Sequence, residues 1–220
     1  MDRFLRMAAV CFALAALVHA QSVKPAEASG VQCSENVLSA KSPYITSHSG
    51  IAARALVDAN SGGKDCAAKW KLEVRTKFGF AKTLEVASTS ENPNYELSFE
   101  LYGWSSDNRL LLGAIIRAMG DWDQAMPMIY DVQAKQQWVV DLQPLFARLV
   151  PKDCSIYAWP DGFSQSGDVL IHAGPRESDM AGGEKPCFTE SEWQLNYRTN
   201  TLAPAEGEEK PDIFGKLSDD

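Results

Sequence analysis

The sequence predicts an all-β protein of three units, each a four-stranded antiparallel meander, with one short helix. The clearest unit is Tyr95–Leu142, where four runs rich in β-branched, aromatic and other apolar residues follow one another, each bounded by turn residues. A similar order of runs appears once before this stretch and once after it. Three aromatic residues at matching places, Trp70, Tyr130 and Trp193, lie 60 and 63 residues apart. A spacing near 60 residues indicates a repeat architecture.

The first twenty residues are typical of a cleaved signal peptide. Arg3 and Arg6 precede an apolar run of twelve residues, Met7–Val18, and Val18-His19-Ala20 offers a cleavage site. A membrane-spanning helix needs about 20 apolar residues, so this run is too short to be an anchor. We therefore expect an exported protein, either periplasmic or extracellular.

The rest of the chain divides by composition into a leader, one domain and a tail. Residues 21–32 are rich in small residues and proline without periodicity, which predicts a flexible leader. Residues 33–203 hold the repeated β runs and form the predicted domain. Residues 204–220 are acidic and contain proline and glycine, which predicts a disordered tail.

Net charge narrows the classes of partner. Without residues 1–20 the chain holds 19 basic and 28 acidic side chains, a net charge of −9 compared with −8 for the whole sequence. Nucleic acids and anionic membranes attract clustered lysine and arginine, so neither is an expected partner. No second long apolar run follows the signal segment, and no membrane span is therefore expected in the mature chain.

Four cysteines remain after signal cleavage, and their spacing repeats. Cys33 and Cys66 are 33 positions apart, as are Cys154 and Cys187. An even number of cysteines in an exported chain predicts disulfides, and the equal spacing favours these two pairs among the three possible connectivities. Zinc sites use short ligand spacings that are absent here, so neither a metal site nor a cofactor is expected.

In the first unit the clearest strand is Lys69–Arg75. Its residues alternate, with Trp70, Leu72 and Val74 on one face and charged residues on the other, and a period of two indicates a half-buried strand. Ile51–Asp58 and Lys82–Val86 are further strand candidates.

In the second unit, Arg109–Ile116 is almost continuously apolar. Gly113 and the β-branched pair Ile115-Ile116 disfavour a helix, and the run predicts a strand covered on both faces. The predicted helix is Asp141–Val150, with Asp141 as its cap and Pro144 in the first turn.

The third unit begins at Cys154. Ser155–Trp159 and Asp168–Ala173 are predicted strands, and Pro160–Gly162 between them is a predicted turn. A long polar loop, Gly174–Lys185, precedes the alternating strand Glu192–Tyr197.

The run Tyr102–Leu112 resembles the strand–turn–strand of β-propeller repeats of the TolB and WD40-like kind. In those repeats an aromatic residue and a serine precede an Asp-Gly turn, and an apolar strand follows. Gly162–Leu170 and Ser47–Ile51 are looser copies, and Asp107-Asn108 stands in place of Asp-Gly. Only three units fit, whereas propellers close with about four to eight blades. The resemblance implies a propeller-like or sandwich-like scaffold for binding, or a partial ring completed by a partner chain, and no particular chemistry.

No catalytic residue is predicted. Gly162-Phe-Ser-Gln-Ser166 resembles the GxSxG nucleophile elbow, but Ser166 replaces the last glycine and no strand-to-helix context follows. The histidines of the mature chain, His48 and His172, are interpreted as a solvated turn residue and a strand residue.

The candidate ligand site is Asp121, Trp122 and Asp123, in a predicted loop over Met119–Ala125. An aromatic residue between two carboxylates suits sugar binding or glycoside chemistry, although acids this close also simply solvate a turn. Because Trp122 is the tryptophan most expected to be exposed, we place the predicted binding face here, together with the loop Gly174–Lys185.

The sequence therefore predicts a non-enzymatic binding or protein-interaction module, with a protein or a glycan as partner. The first alternative is a carbohydrate-active or other hydrolytic protein that uses Asp121, Trp122 and Asp123. The second is a structural subunit whose open sheet edges pair with a partner.

Peptide mapping without reduction tests the predicted pairing. We expect Cys33 joined to Cys66 and Cys154 joined to Cys187, each bridge stabilising the fold by roughly 3–4 kcal/mol in the chain-entropy model. Cys33 joined to Cys154 or Cys187 would contradict both the pairing and the repeat on which it rests.

Overall fold

The computed structural model describes residues 26–28, 40–60, 67–88, 96–119, 122–152, 154–176, 187–207 and 210–218. Within these ranges the chain forms three antiparallel sheets and one short helix. The predicted all-β class with three four-stranded units is confirmed.

Each unit is a meander of consecutive strands. A short strand, β1 (Ala26–Ala28), comes first in the chain. The first unit contains β3 (Tyr44–Thr46), β4 (Ala52–Asn60), β5 (Ala67–Arg75) and β6 (Ala81–Ser88), and the two-residue strand β2 (Ala40–Lys41) pairs with β4 beside this meander. The second contains β7 (Glu96–Trp104), β8 (Leu110–Met119), β9 (Trp122–Asp131) and β10 (Gln136–Val139). After the helix α1 (Gln143–Phe146), the third contains β11 (Ile156–Phe163), β12 (Val169–Pro175), β13 (Ser191–Asn196) and β14 (Thr201–Pro204). The last strand is β15 (Lys216–Ser218).

The first hairpin of every unit closes with the same serine turn. A serine hydroxyl accepts a hydrogen bond from a backbone N–H of the return strand, at 3.1, 2.9 and 3.1 Å for Ser47, Ser105 and Ser164. Three residues after each serine the backbone has positive φ, at Gly50, Asn108 and Gly167. Asparagine tolerates this conformation better than most side chains, so Asn108 can stand where the other two turns use glycine. The three copies expected from the sequence are therefore one structural motif.

The second sheet lies between the other two. One face packs on the first sheet through residues that include Trp70, Leu111 and Ile115, all buried in a shared core. The opposite face packs on the third sheet, where Leu110 and Leu112 lie with Phe163 and Val169. Neighbouring residues of β8 thus belong to different cores, which confirms the strand covered on both faces.

The predicted alternation in β5 is also confirmed. Trp70, Leu72 and Val74 are buried in the first core. The charged residues between them lie on the outer face, where Lys71 pairs with Asp58 and Glu73 with Arg54.

The C-terminal residues 210–218, which we call the strap, contact the first strand of all three units. Asp212 and Phe163 exchange backbone hydrogen bonds of 2.7 and 3.1 Å, and Phe214 and Trp104 exchange bonds of 2.8 and 2.6 Å. β15 then pairs with β3. None of the three sheets closes on itself, and the strap links their first strands instead.

Two glycines make room for the strap. A Cβ on Gly162 would lie 2.7 Å from the Pro211 Cβ, and a Cβ on Gly103 would lie 2.8 Å from the Phe214 carbonyl oxygen. Each glycine follows a β-bulge, between Pro160 and Gly162 in β11 and between Leu101 and Gly103 in β7. A β-bulge followed by a glycine therefore recurs in two units, at the places where the strap passes.

Three local expectations are wrong. Composition predicts disorder from residue 204 onward, but residues 210–218 are paired along the strap. Pro160–Gly162 is a bulged part of β11 and not a turn. The helix is only Gln143–Phe146 with Leu142 as its N-cap, although the Asp141 carboxylate does accept the Gln143 N–H at 3.0 Å.

Within the described part of the chain, no helix has the length and apolar character needed to cross a membrane. The limits expected for the leader, domain and tail otherwise stay predictions.

Ending the chain at Glu209 removes the strap. Each backbone hydrogen bond lost contributes about 1 kcal/mol net, so we expect the free energy of unfolding to fall by about 2–4 kcal/mol in urea denaturation. Gly162→Ala should also destabilise the full-length chain, because its Cβ meets Pro211, and should have little effect in the shortened chain. Equal stability of the full-length and shortened chains would show that the strap does not hold the sheets together.

Candidate functional site

The predicted ligand residues fall at a strand start. β9 begins at Trp122, with Met119 paired to Trp122 and Ala118 paired to Asp123. The expectation of a loop over Met119–Ala125 is therefore wrong, because β8 continues to Met119 and β9 begins at Trp122. Asp121 and the side chain of Trp122 lie outside the described residues, so the exposure of Trp122 stays a prediction.

Asp123 is held by an arginine from the third sheet. Arg176, which directly follows β12, places Nη1 3.2 Å from the Asp123 Oδ1 and donates from Nη2 to the Asp123 carbonyl oxygen. Its Nε donates to the Ile156 carbonyl at 3.1 Å. The Arg176 side chain is 16% exposed and that of Asp123 is 46% exposed. The Arg176 guanidinium therefore connects the second and third sheets and holds Asp123 in place between them.

Beside this pair is a cavity of about 340 Å³ between β9, β11 and α1. Its apolar walls come from the second and third sheets and the helix, and include Ala125, Leu142, Phe146, Val150, Ile156 and Ala158. Its polar lining comes from Asp123, Gln124, Gln143, Lys152, Ser155 and Arg176. The cavity thus has both apolar and polar side chains in its lining.

A second set of hydrogen bonds holds the wall of the cavity that the helix forms. Gln124 donates from Nε2 to the Asp141 Oδ1 at 2.6 Å, and the same oxygen accepts the Gln143 N–H. The start of β9 and the start of α1 are therefore tied through one carboxylate.

The disulfide Cys154–Cys187 borders the cavity. The pair has the predicted separation of 33 residues and a Cα–Cα distance of 5.6 Å, and it confirms one of the two expected bridges. It ties the segment before β11 to the segment before β13, and Cys154 itself lines the cavity. Cys33 and Cys66 lie outside the described residues.

A different polar cluster lies on the outer face of the third sheet. His172 in β12 pairs across the sheet with Glu192 in β13, and its Nδ1 lies 2.7 Å from the Glu192 Oε1. Its Nε2 lies 2.8 Å from the Glu190 Oε1. Tyr157 packs near the imidazole, with ring centroids 5.9 Å apart. The sequence interpretation placed His172 on a strand but did not find these partners, because they depend on sheet register.

Asp161 completes this cluster from the bulge of β11. Asp161, His172 and Glu192 each offer a ligand atom, and these atoms all lie within 4.8 Å of one another. One imidazole and two carboxylates suit a divalent cation. The hydrogen bonds to Glu190 and Glu192 use both ring nitrogens of His172, so such a cation would displace one of them. The observed arrangement is an imidazole held between two glutamates.

The electrostatics of the cluster follow from this geometry. Burial lowers the pKa of His172, but the hydrogen bonds to Glu192 and Glu190 and the nearby carboxylate charges outweigh it, so the pKa lies above the ordinary 6.5. Burial, and next the charge of Glu192, raises the pKa of Asp161 above its ordinary value.

The serines considered as nucleophiles belong to a turn. The Ser164 and Ser166 hydroxyl oxygens lie 2.7 Å apart, and Gln194 donates to Ser166 at 2.9 Å. Ser164 also accepts the Asp168 N–H in the repeated serine turn. His172 bonds to glutamates instead, so these residues do not assemble a Ser–His pair.

The chain matches no protein-family model, no curated protein and no solved structure. The geometry of its own residues therefore carries the functional argument.

The His172 cluster makes stability depend on pH. A raised histidine pKa stabilises the fold fully below the unfolded value of about 6.5, and this contribution is lost as pH rises through the folded pKa. The groups facing the ring are Glu190, Glu192, Asp161 and Tyr157.

Between about pH 6 and pH 8, the wild-type chain should therefore lose stability relative to His172→Gln. Because the side chain is one-third exposed, solvent screening should keep the difference below about 1 kcal/mol. Urea denaturation of both proteins at both pH values measures it, and parallel pH profiles would contradict the assignment.

Proposed function

We propose that this chain is an exported, non-enzymatic binding module whose ligand site is the cavity between β9, β11 and α1. The observation that carries the proposal is the meeting of apolar walls with a few fixed polar groups in one cavity of about 340 Å³. Small-molecule sites in proteins combine these features, and their volumes begin at about 300 Å³.

The fixed polar contacts support binding without large rearrangement. Arg176 bonds to both the side chain and the backbone of Asp123, and also to the backbone of Ile156. The disulfide at Cys154 restrains the neighbouring wall. A site whose walls are held before the ligand arrives loses less conformational entropy on binding.

Export and a binding role fit the remaining features. The first twenty residues read as a signal peptide, and a disulfide between Cys154 and Cys187 suits an oxidising compartment outside the cytosol. The resemblance of the serine-turn hairpins to TolB and WD40-like propeller repeats implies a scaffold for binding, since such repeats carry no particular chemistry.

The polar lining indicates the class of partner. Gln124, Lys152 and Ser155 can exchange hydrogen bonds with hydroxyl and amide groups, and Asp123 adds a carboxylate acceptor. A glycan, or a short polar segment of a protein partner, offers such hydroxyl and amide groups.

Hydrolysis by the Asp121, Trp122 and Asp123 group is the alternative, and the contacts favour binding over it. Glycoside hydrolysis needs two carboxylates on either side of the scissile bond. Asp123 is engaged by Arg176, and Asp141 accepts from Gln124 and from the Gln143 N–H. Of the carboxylates described beside the cavity, Asp123 and Asp141 therefore both hold protein groups in place, and Asp121 lies outside the described residues.

Calorimetric titration of the mature chain with a panel of soluble oligosaccharides and short polar peptides tests the proposal. We expect saturable binding of at least one member, weakened about fivefold in Lys152→Gln and in Gln124→Ala, since each loses one hydrogen bond of about 1 kcal/mol. Lys41→Gln, an exposed lysine of β2 in the first unit, is the matched control and should bind as the wild type does.

Recovery of the ligand distinguishes the two functions. A binding module returns the oligosaccharide at unchanged mass after prolonged incubation, whereas shorter products would establish the hydrolytic alternative. Wild-type affinity in both cavity variants would place the site elsewhere.

A further inference from the structure

The hairpin between β5 and β6 ends in two exposed phenylalanines. Phe78 is 76% exposed and Phe80 is 75% exposed, whereas the next most exposed large apolar side chain of the described residues, Leu149, is 50% exposed. Large apolar side chains grouped on a surface mark a contact more often than an accident. The exposed pair Phe78 and Phe80 therefore indicates a contact with a partner.

The exposure does not come from a poorly formed turn. The Thr76 N–H donates to the Phe80 carbonyl at 2.9 Å, and the Gly79 N–H donates to the Thr76 carbonyl at 2.9 Å. Strand pairing resumes at once with Arg75 opposite Ala81. A Cβ added to Gly79 would meet nothing within 4 Å, so the space around the residue between the two phenylalanines is open. At the base of the tip, the Lys77 Cβ lies 3.5 Å from the place that a Cβ on Gly50 would take.

The other two units provide an internal comparison. The β9–β10 and β13–β14 hairpins stand at the same place in their units, and each has one residue of positive φ, Lys135 or Asn200, as β5–β6 has Gly79. Four residues separate the last paired residues of these two hairpins, whereas five separate Arg75 from Ala81. Their tips are polar or small, with Gln133-Ala134 in one and Arg198-Thr199 in the other. A hairpin at this place in a unit therefore forms without aromatic residues at its tip, and the exposed pair is particular to the first unit.

Within residues 75–82 the charged side chains are all positive, although Arg75 at the base of the hairpin lies 3.6 Å from the carboxylate of Glu73. Residues 75–82 contain Arg75, Lys77 and Lys82 and no acidic residue, although the whole sequence carries −8. The Lys77 ammonium lies 5.1 Å from the centre of the Phe78 ring. Since charges more than about 8 Å apart are largely screened at physiological salt, the local charge decides what this tip attracts. Net charge alone predicted no anionic membrane partner, and the hairpin is a local exception.

We propose that the β5–β6 hairpin docks on the surface of a lipid bilayer that contains anionic headgroups. Phe78 and Phe80 enter the headgroup and acyl boundary, and Lys77 and Lys82 contact phosphate groups. A convex tip with apolar side chains ringed by cations matches this boundary, in which apolar rings are buried and lysines reach the headgroups. A protein partner would need a groove that is both apolar and acidic.

Co-sedimentation of the mature chain with vesicles tests the proposal. Vesicles of phosphatidylcholine alone are compared with vesicles containing about 30% phosphatidylglycerol, at about 50 mM and about 500 mM salt. We expect binding to the anionic vesicles that weakens at high salt. The bound fraction should fall at least about fivefold in Phe78→Ala/Phe80→Ala, since both apolar anchors are lost.

Two further variants separate the contributions. Lys77→Gln/Lys82→Gln should remove the preference for phosphatidylglycerol, and Leu149→Ala, another exposed apolar residue, should bind as the wild type does. In Phe80→Trp, vesicles with brominated acyl chains should quench additional fluorescence relative to the wild type. Because both phenylalanines are three-quarters exposed, the urea denaturation midpoints of the variants should match that of the wild type.

The results that would overturn the proposal are equally specific. Absence of wild-type binding to both vesicles, or unchanged binding of Phe78→Ala/Phe80→Ala, excludes the bilayer as partner. If the chain instead forms a dimer that Phe78→Ala/Phe80→Ala dissociates, the tip is a contact between two copies and not a lipid anchor.

Discussion

Backbone pairing along the strap is the constraint on which the arrangement of the three sheets depends. The first strand of a sheet has one unpaired edge, and unpaired edges invite pairing with other chains. Residue 212 pairs with the edge of β11, and β15 pairs with the edge of β3. Residue 214 pairs with Trp104 at the end of β7, beyond the residues of β7 that pair with β1. The nine residues of the strap, 210–218, thus pair with strands that belong to three units. Since these contacts join residues far apart in sequence, the strap can take its place only when all three sheets are in position.

The repeated units could be predicted from the sequence because their signals are local. The alternation in β5, the apolar run of β8 and the serine turns each lie within about ten residues, and period and turn chemistry are sufficient to recognise them. The strap was missed for the converse reason. Its composition is that of a disordered tail, and its order comes from backbone groups on distant strands, which composition does not report. The residues Pro160–Gly162 have the composition of a turn, which is what the sequence predicts. They form a bulge beside Pro211, a residue about 50 positions further along the chain, and local composition does not report such a contact.

In the candidate site, too, local signals could be predicted from the sequence and long-range contacts could not. The sequence predicts a ligand role for Asp123 because an aromatic residue and a second acid stand beside it. Its partner Arg176 lies 53 residues further on, in another sheet, and only the packing of the second sheet on the third brings them together. His172 and Glu192 are likewise joined by register, which single-sequence periodicity does not determine. The cysteine spacing was informative because it repeats, and one pair of the two lies among the described residues.

Internal repetition offers a means of separating structure from function in this chain. Positions that agree among the three units serve the fold: the serine that closes each first hairpin, and the positive-φ residue three positions later. Where equivalent positions carry different residues, the common fold does not require any particular one of them. The β5–β6 tip has two phenylalanines where its counterparts are polar or small, and the long connection after β12 begins with Arg176 where the second unit has a tight hairpin. Both differences lie at the ends of strands, where a side chain can change without disturbing a core. Functional evolution of a repeated scaffold is easiest at such places, and it is there that the cavity and the hairpin tip are found.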